Sequence, residues 1–173
     1  MPNKANKHTP NPLVTSHSKF YLLVASVGGR VIGWLFDIYT LLPLPTHPRT
    51  RVAITNSADT HILLVRNLPY PSKWTLPGGG YKKHETAEQC AARELHEELH
   101  LTVAPNRLHL LGRFSGSKPK RQFDCLMVAI NSQQTIKPNS EVIEANWFAL
   151  NTLPANISPT ASKVTDFIRR AQV

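Results

Sequence analysis

Apolar residues in this chain follow two periods, and the switch between them divides it. Val24, Val27, Val31, Trp34, Ile38 and Leu41 recur at spacings of 3, 4, 3, 4 and 3, which is the stripe of a helix. Leu23, Leu35 and Leu42 widen it, while Gly28, Gly29 and Gly33 weaken the helix and permit close approach of a neighbour. Pro43, Pro45 and Pro48 then break the chain and predict a linker at 43–50. Beyond them the period shortens. Arg51–Thr55 and His61–Arg66 are β-branched runs separated by the turn cluster Asn56-Ser57-Ala58-Asp59, a hairpin pattern. Trp74–Leu76 predicts a short strand ending at Pro77, and Thr86–Leu99 a helix. Arg107–Phe114 and Gln122–Asn131 predict strands joined by the basic loop SGSKPKR, and Ala145–Leu150 one more. Ser158–Gln172 closes the pattern as a helix with Ser158 as N-cap and Pro159 in its first turn. Its Val164, Phe167, Ile168 and Ala171 form the stripe expected to cover one sheet face.

Strands interleaved with two helices give an α/β class. The expected organisation is a flexible basic tail at 1–19, an apolar helix with its linker at 20–45, and an α/β domain at 46–173. The tail carries Lys4, Lys7 and Lys19 without an acid and is broken by Pro2, Pro10 and Pro12. Three readings stand for residues 20–42. They form a helix packed on the domain or on a second copy as a homodimer, an attachment to a membrane surface, or a cleaved signal peptide. Arg30 and Asp37 interrupt the run, which disfavours a simple spanning helix.

Charge sharpens this picture. Lys plus Arg is 20 against 11 for Asp plus Glu, a net charge of +9. That excess suits anionic partners: phosphates, nucleic acid or an acidic membrane surface. Against it, Glu85, Glu88, Glu94, Glu97 and Glu98 gather five of the 11 acids in one short stretch. Cys90 and Cys125 belong to no CxxC pair, so no zinc site is expected. Both read as small buried core residues, and a reducing cytoplasm is the default location.

The acidic stretch carries the chemistry. Thr86 and Gln89 form a capping box that fixes the helix start. Ala87, Ala91, Leu95 and Leu99 fall on a buried face, and Glu94, Glu97 and Glu98, at i, i+3 and i+4, crowd another. Three like charges so spaced repel one another unless a cation sits between them, and a hard divalent ion suits oxygen ligands. Gly78, Gly79 and Gly80 lie just ahead, where the absence of a Cβ lets backbone approach a phosphate or metal.

Together these residues resemble the Nudix box, G-x5-E-x7-R-E-U-x-E-E-x-G-U with U a bulky aliphatic. Gly79, Glu85, Arg93-Glu94-Leu95, Glu97-Glu98 and Leu101 all stand in register, and only the final glycine is replaced, by His100. LLVRN and WTLPGGG before the box, and EVIEANWFAL with a helix after it, extend the resemblance over about residues 50–172. It implies a Nudix α/β/α sandwich with a mixed sheet, here with an extra N-terminal helix. It also implies hydrolysis of a nucleoside diphosphate linked to another moiety, with Mg²⁺ or Mn²⁺. By position, Glu94, Glu97 and Glu98 would be metal ligands, helped by the backbone of Gly79. Glu94 or Glu97 would orient water, and Arg93 would hold Glu85 or a neighbouring carboxylate. A further glutamate outside the box often assists in this family, with Glu141 and Glu144 as candidates here. Arg66, Gly79, Gly80 and Lys82 are the expected substrate contacts, with Lys83, Lys118, Lys120 and Arg121 as further phosphate contacts. Tyr70, Trp74 and Phe123 are candidates to stack on a base. His100 falls where a left-handed conformation is common, at a cost of about 1 kcal/mol, so retained activity with slightly reduced stability is expected.

Substrate identity stays open among nucleoside triphosphates, nucleotide sugars and dinucleoside polyphosphates. The proline that marks the ADP-ribose type would fall at Gly116, and the nearest proline is Pro119. A nucleotide-sensing module without turnover, and a membrane- or partner-associated protein acting through residues 20–42, are the alternatives.

Overall fold

The computed structural model describes residues 48–68, 71–115, 122–132 and 134–172. The predicted tail, the 20–42 helix, most of the proline linker, Tyr70, and the loop bearing Lys118, Lys120 and Arg121 lie outside the described residues. Within them, β1 (Arg49–Asn56) and β2 (His61–Asn67) form the expected hairpin, antiparallel with Ile54 opposite Leu63. Its turn is held by Asn56, whose side-chain oxygen accepts from the Thr60 and His61 N–H groups at 2.8 and 3.0 Å. α1 spans Ala87–Leu99, β3 His109–Ser115, β4 Gln122–Ile130, β5 Val142–Ala149 and α2 Pro159–Ala171.

The five strands make one mixed sheet in the order β3-β4-β1-β2-β5. Only β1 and β4 run parallel among its neighbouring pairs. Strand alternation gives the sheet two apolar faces. Val52, Ile54, Leu63, Val65, Leu126 and Val128 pack on one side against Ala91, Leu95 and Leu99 of α1. Ala53, Ile62, Leu64 and Cys125 pack on the other against Ala161, Val164 and Ile168 of α2. Each fully buried leucine or isoleucine contributes about 2 kcal/mol, so the two faces fix both helices on the sheet.

Four expectations shift. Trp74–Leu76 forms isolated bridges, Val65 with Thr75 and Trp74 with Ile157, instead of an independent strand. Pro105 starts a 3₁₀ turn at Pro105–Arg107, which delays β3 to His109. β5 starts earlier than predicted, at Val142, because its pairing with β2 continues through a bulge at Arg66/Asn67. α2 buries Ala161, Val164, Thr165 and Ile168, leaving Phe167 44% exposed and Ala171 exposed. The buried set follows i, i+3, i+4, i+7, a stripe rotated from the predicted one.

The register between β1 and β2 places the glycines. Only the C-terminal half of β1 pairs with β2. Along its N-terminal half the neighbour is the Pro77–Gly80 segment: Val52 N–H donates to Pro77 O and Thr50 N–H to Gly79 O, both at 2.9 Å. The glycine loop is thus wedged between two splayed strands and held by sheet hydrogen bonds. Among the described residues no helix is long and apolar enough to cross a membrane.

Candidate metal and phosphate site

α1 starts where the capping box requires. The Gln89 N–H donates to Thr86 Oγ1 at 3.2 Å, and Thr86 N–H donates back to Gln89 Oε1 at 3.0 Å. With the start fixed, Leu95 and Leu99 face the core, and Glu94 and Glu98 meet Gly79 and Gly78 of the glycine loop. Gly78 has a φ of 126° and a Cβ there would stand 2.7 Å from Thr50 O. A Cβ on Gly79 would stand 2.5 Å from the Glu94 carboxylate. Loop and carboxylate therefore touch only because both positions lack side chains.

Arg93 is the hub of the site. Its guanidinium donates to both oxygens of Glu85, at 2.6 and 2.9 Å. It also reaches Glu94 at 2.7 Å, Glu97 at 2.9 Å and Gly80 O at 2.9 Å. These bonds hold the Glu85 carboxyl down to about 2 and push the Arg93 guanidinium further up. Lys82 joins from the loop. Its N–H donates to Glu85 at 2.7 Å and its ammonium meets Glu97 at 3.1 Å. Burial pushes Glu97 up, but the bonds from Lys82 and the charge of Arg93 outweigh it, leaving Glu97 below the usual carboxylate range.

Glu98 lies on the inner side and is 5% exposed. It accepts the Gly78 N–H at 2.9 Å. Burial raises its carboxyl to about 7, with Glu94 and Glu141 adding to the rise and the Gly78 bond and Arg51 opposing it. Arg51, on β1, donates to Thr50 O at 3.1 Å and to Gly78 O. Its pKa is lowered by burial and by Arg49, and drawn back up by Glu98 and Glu94.

The structure thus brings together Glu85, Arg93, Glu94, Glu97, Gly79, Gly80 and Lys82, with Glu98 beneath them. It separates the two outlying candidates. The charge of Glu141 acts on Glu98, whereas Glu144 is taken by Arg66, its partner across β2 and β5. Arg66 lies 5.0 Å over the Trp74 ring. Trp74 and Phe123 are core residues, 6% and 7% exposed. Lys83 is exposed. Cys90 and Cys125 are free and buried, and burial pushes both thiols up, Cys125 to about 12. Among the described residues no three His, Cys, Asp or Glu side chains converge as a ready metal cluster. Arg93 and Lys82 stand among the carboxylates in their place.

Sequence reasoning missed two parts of this surround. Arg51 was legible as a lone cation inside a β-branched run, but its place beneath Gly78 depends on the splay of β1 from β2. Tyr81 donates to Asp124 Oδ2 at 2.7 Å, and Arg113 donates to Asp124 Oδ1 at 2.8 Å. That chain ties the end of the glycine loop to β4 and β3, a pairing of residues far apart in sequence.

An α/β domain with an acidic helix end against a glycine loop defines the class. The chain belongs to the Nudix hydrolase family: the NUDIX domain model matches residues 45–168. It is 31% identical over 134 residues to the NAD-capped RNA hydrolase NudC of Vibrio atlanticus (strain LGP32), covering 70% of this chain and 46% of that protein. The ADP-ribose pyrophosphatase of Methanocaldococcus jannaschii is 29% identical over 128 residues, covering 71% of this chain and 75% of that protein. In fold, it is similar to the MutT/nudix family protein of Enterococcus faecalis. The TM-score is 0.62 at 18% identity, over 79% of this chain and 67% of that one. The chain spans about half the length of the NudC relative, 46%.

Proposed function

We propose that this chain is a divalent-metal-dependent hydrolase that cleaves a pyrophosphate bond in a nucleoside diphosphate derivative. The observation that carries the reading is one helix face meeting the glycine loop, with Glu94 against Gly79 and the buried Glu98 accepting the Gly78 N–H, where neither glycine admits a side chain. The donor set is all carboxylate and carbonyl oxygen, which suits Mg²⁺ or Mn²⁺. Glu94, Glu97 and Glu98 would hold the ion, with the Gly79 backbone beside them. When bound, it supplies charge neutralisation at the phosphate oxygens and a more acidic water. A desolvated carboxylate lifted to about 7 is a group that a nearby cation relieves.

The rest falls to the chain itself. Arg93 positions Glu94 and Glu97 and gathers Glu85, so the acidic face keeps its shape without the ion. Glu97, its side chain 47% exposed, is the carboxylate best placed to take a proton from an entering water. Lys82, also exposed, is free to turn from Glu97 to a substrate phosphate. Glu141 is the preferred outlying carboxylate, since Glu144 is paired with Arg66.

The activities of the two relatives, on NAD-capped RNA and on ADP-ribose, share an adenosine-bearing diphosphate. Nucleoside triphosphates, nucleotide sugars and dinucleoside polyphosphates complete the candidate set. The test is product analysis over such a panel, with Mg²⁺ and with chelator. Metal-dependent formation of a nucleoside monophosphate or of pyrophosphate supports the reading, and no turnover of any member contradicts it. A homodimer or a membrane contact through residues 20–42 is a separate proposal. It is read by sizing and by vesicle flotation of the full chain against one lacking residues 1–45.

A further inference from the structure

Away from the acidic site, α2 presents an outer stripe of Lys163, Phe167 and Arg170, at i, i+4 and i+7 and all exposed. A large aromatic that is 44% exposed between two cations is an unusual use of a helix face. The stripe is one wall of a cleft of about 250 Å³, whose other wall is Phe114 on β3. Phe114 meets the Phe167 ring edge-on at 5.7 Å and lies stacked with Phe123, 5.9 Å away at 18°. Phe114 is therefore held from one side by a buried aromatic while Phe167 stays open.

The charge balance of the cleft favours an anion. Asp166 also lines it, but it is paired with Arg169 at 3.2 Å. Lys163 and Arg170 make no ion pair among the described residues. Phe114 itself stands in the row of the sheet that leads to the glycine loop: it pairs with Phe123, Phe123 with Arg49, and Arg49 with Gly80. Three strand spacings put it about 14 Å from that loop.

From this cleft we infer that the chain binds a single-stranded nucleic acid, with a base on Phe167 and flanking phosphates on Lys163 and Arg170. Stacking accepts any base, and two point charges along a helix face follow a backbone without reading sequence. A duplex presents phosphates but no open base face, so the aromatic element selects the single strand. The inference concerns binding alone and stands apart from the hydrolase reading.

The experiment is fluorescence anisotropy of the full chain with a labelled oligonucleotide of about 12 nucleotides, in chelator so that no turnover enters. A duplex of the same length serves as competitor. Single-strand binding should weaken as salt rises. Phe167→Leu, which keeps an apolar side chain and removes the ring, should weaken it about tenfold, and Lys163→Glu with Arg170→Glu should weaken it further. Circular dichroism and thermal melting should be unchanged, since all three residues are exposed. Three results would overturn the inference: no binding by the full chain, duplex competing as well as single strand, or these variants binding like the parent. The last would assign binding to the basic residues elsewhere in the chain.

Discussion

The two helices are the same length, 13 residues each, and are built alike. Each starts at a hydroxyl N-cap, lays one stripe on the sheet and closes one side of it. Their outer faces differ completely. On α1 the charged groups facing the glycine loop are engaged: Arg93 with three glutamates, Glu97 also with Lys82 of the loop, and Glu98 with Gly78. On α2 the equivalent face carries Lys163 and Arg170, without an ion pair among the described residues, around an exposed ring. Equal helix-forming physics therefore says little about function. What separates them is the loop in front of α1, wedged into the sheet so that its glycines meet the carboxylates.

The comparison breaks most severely at Arg93. Replacing it with alanine leaves Glu85 and Glu94, both largely buried, without their cation. A loss of about 3 kcal/mol is expected by analogy with broken buried pairs, read as a fall in the denaturation midpoint. The equivalent change on α2, Arg170→Ala, should leave stability within about 0.5 kcal/mol.

Glu98 gives the next effect, and it depends on pH. Its folded-state pKa of about 7 lies above the ordinary 4.5. Its contribution to stability is then fully present below about 4.5 and is lost as pH rises to about 7. The metal-free protein should lose up to about 3 kcal/mol across that window from this group. Glu98→Gln should flatten that part of the profile and stabilise the metal-free protein at pH values above 7, while abolishing activity. An unchanged profile would mean that burial does not set the state of Glu98.

The smallest effect is at the end of α1. His100 takes the left-handed conformation, φ 53°, and its Nδ1 bonds Lys137 O at 2.7 Å. His100→Gly gains up to about 1 kcal/mol of backbone relief and loses a hydrogen bond worth about as much. The change should fall within about 0.5 kcal/mol, with turnover retained. A larger gain would show that the imidazole bond adds little.

These cases show what was legible in the chain beforehand. The capping box, the helix start and the left-handed His100 are local, so sequence spacing sufficed. The carboxylate face was legible too, because i, i+3 and i+4 define a helix surface whatever packs on it. The rotation of α2 was not, because Phe167 and Ala161 are both apolar and only the sheet decides which is buried. Arg51 and the Tyr81–Asp124–Arg113 chain depend on register between distant segments, which no local pattern carries. Glu141 and Glu144 looked equivalent until strand pairing gave Glu144 to Arg66.

The central claim is that the carboxylate face of α1 performs metal-dependent pyrophosphate hydrolysis. Its most direct test is the turnover of Glu97→Gln beside the parent protein, on the best substrate of the panel at saturating Mg²⁺. Glu97 is exposed and off the core, so the variant should keep its fold by circular dichroism. A fall in kcat of at least about a hundredfold is predicted. Full turnover by a folded Glu97→Gln protein would contradict the account.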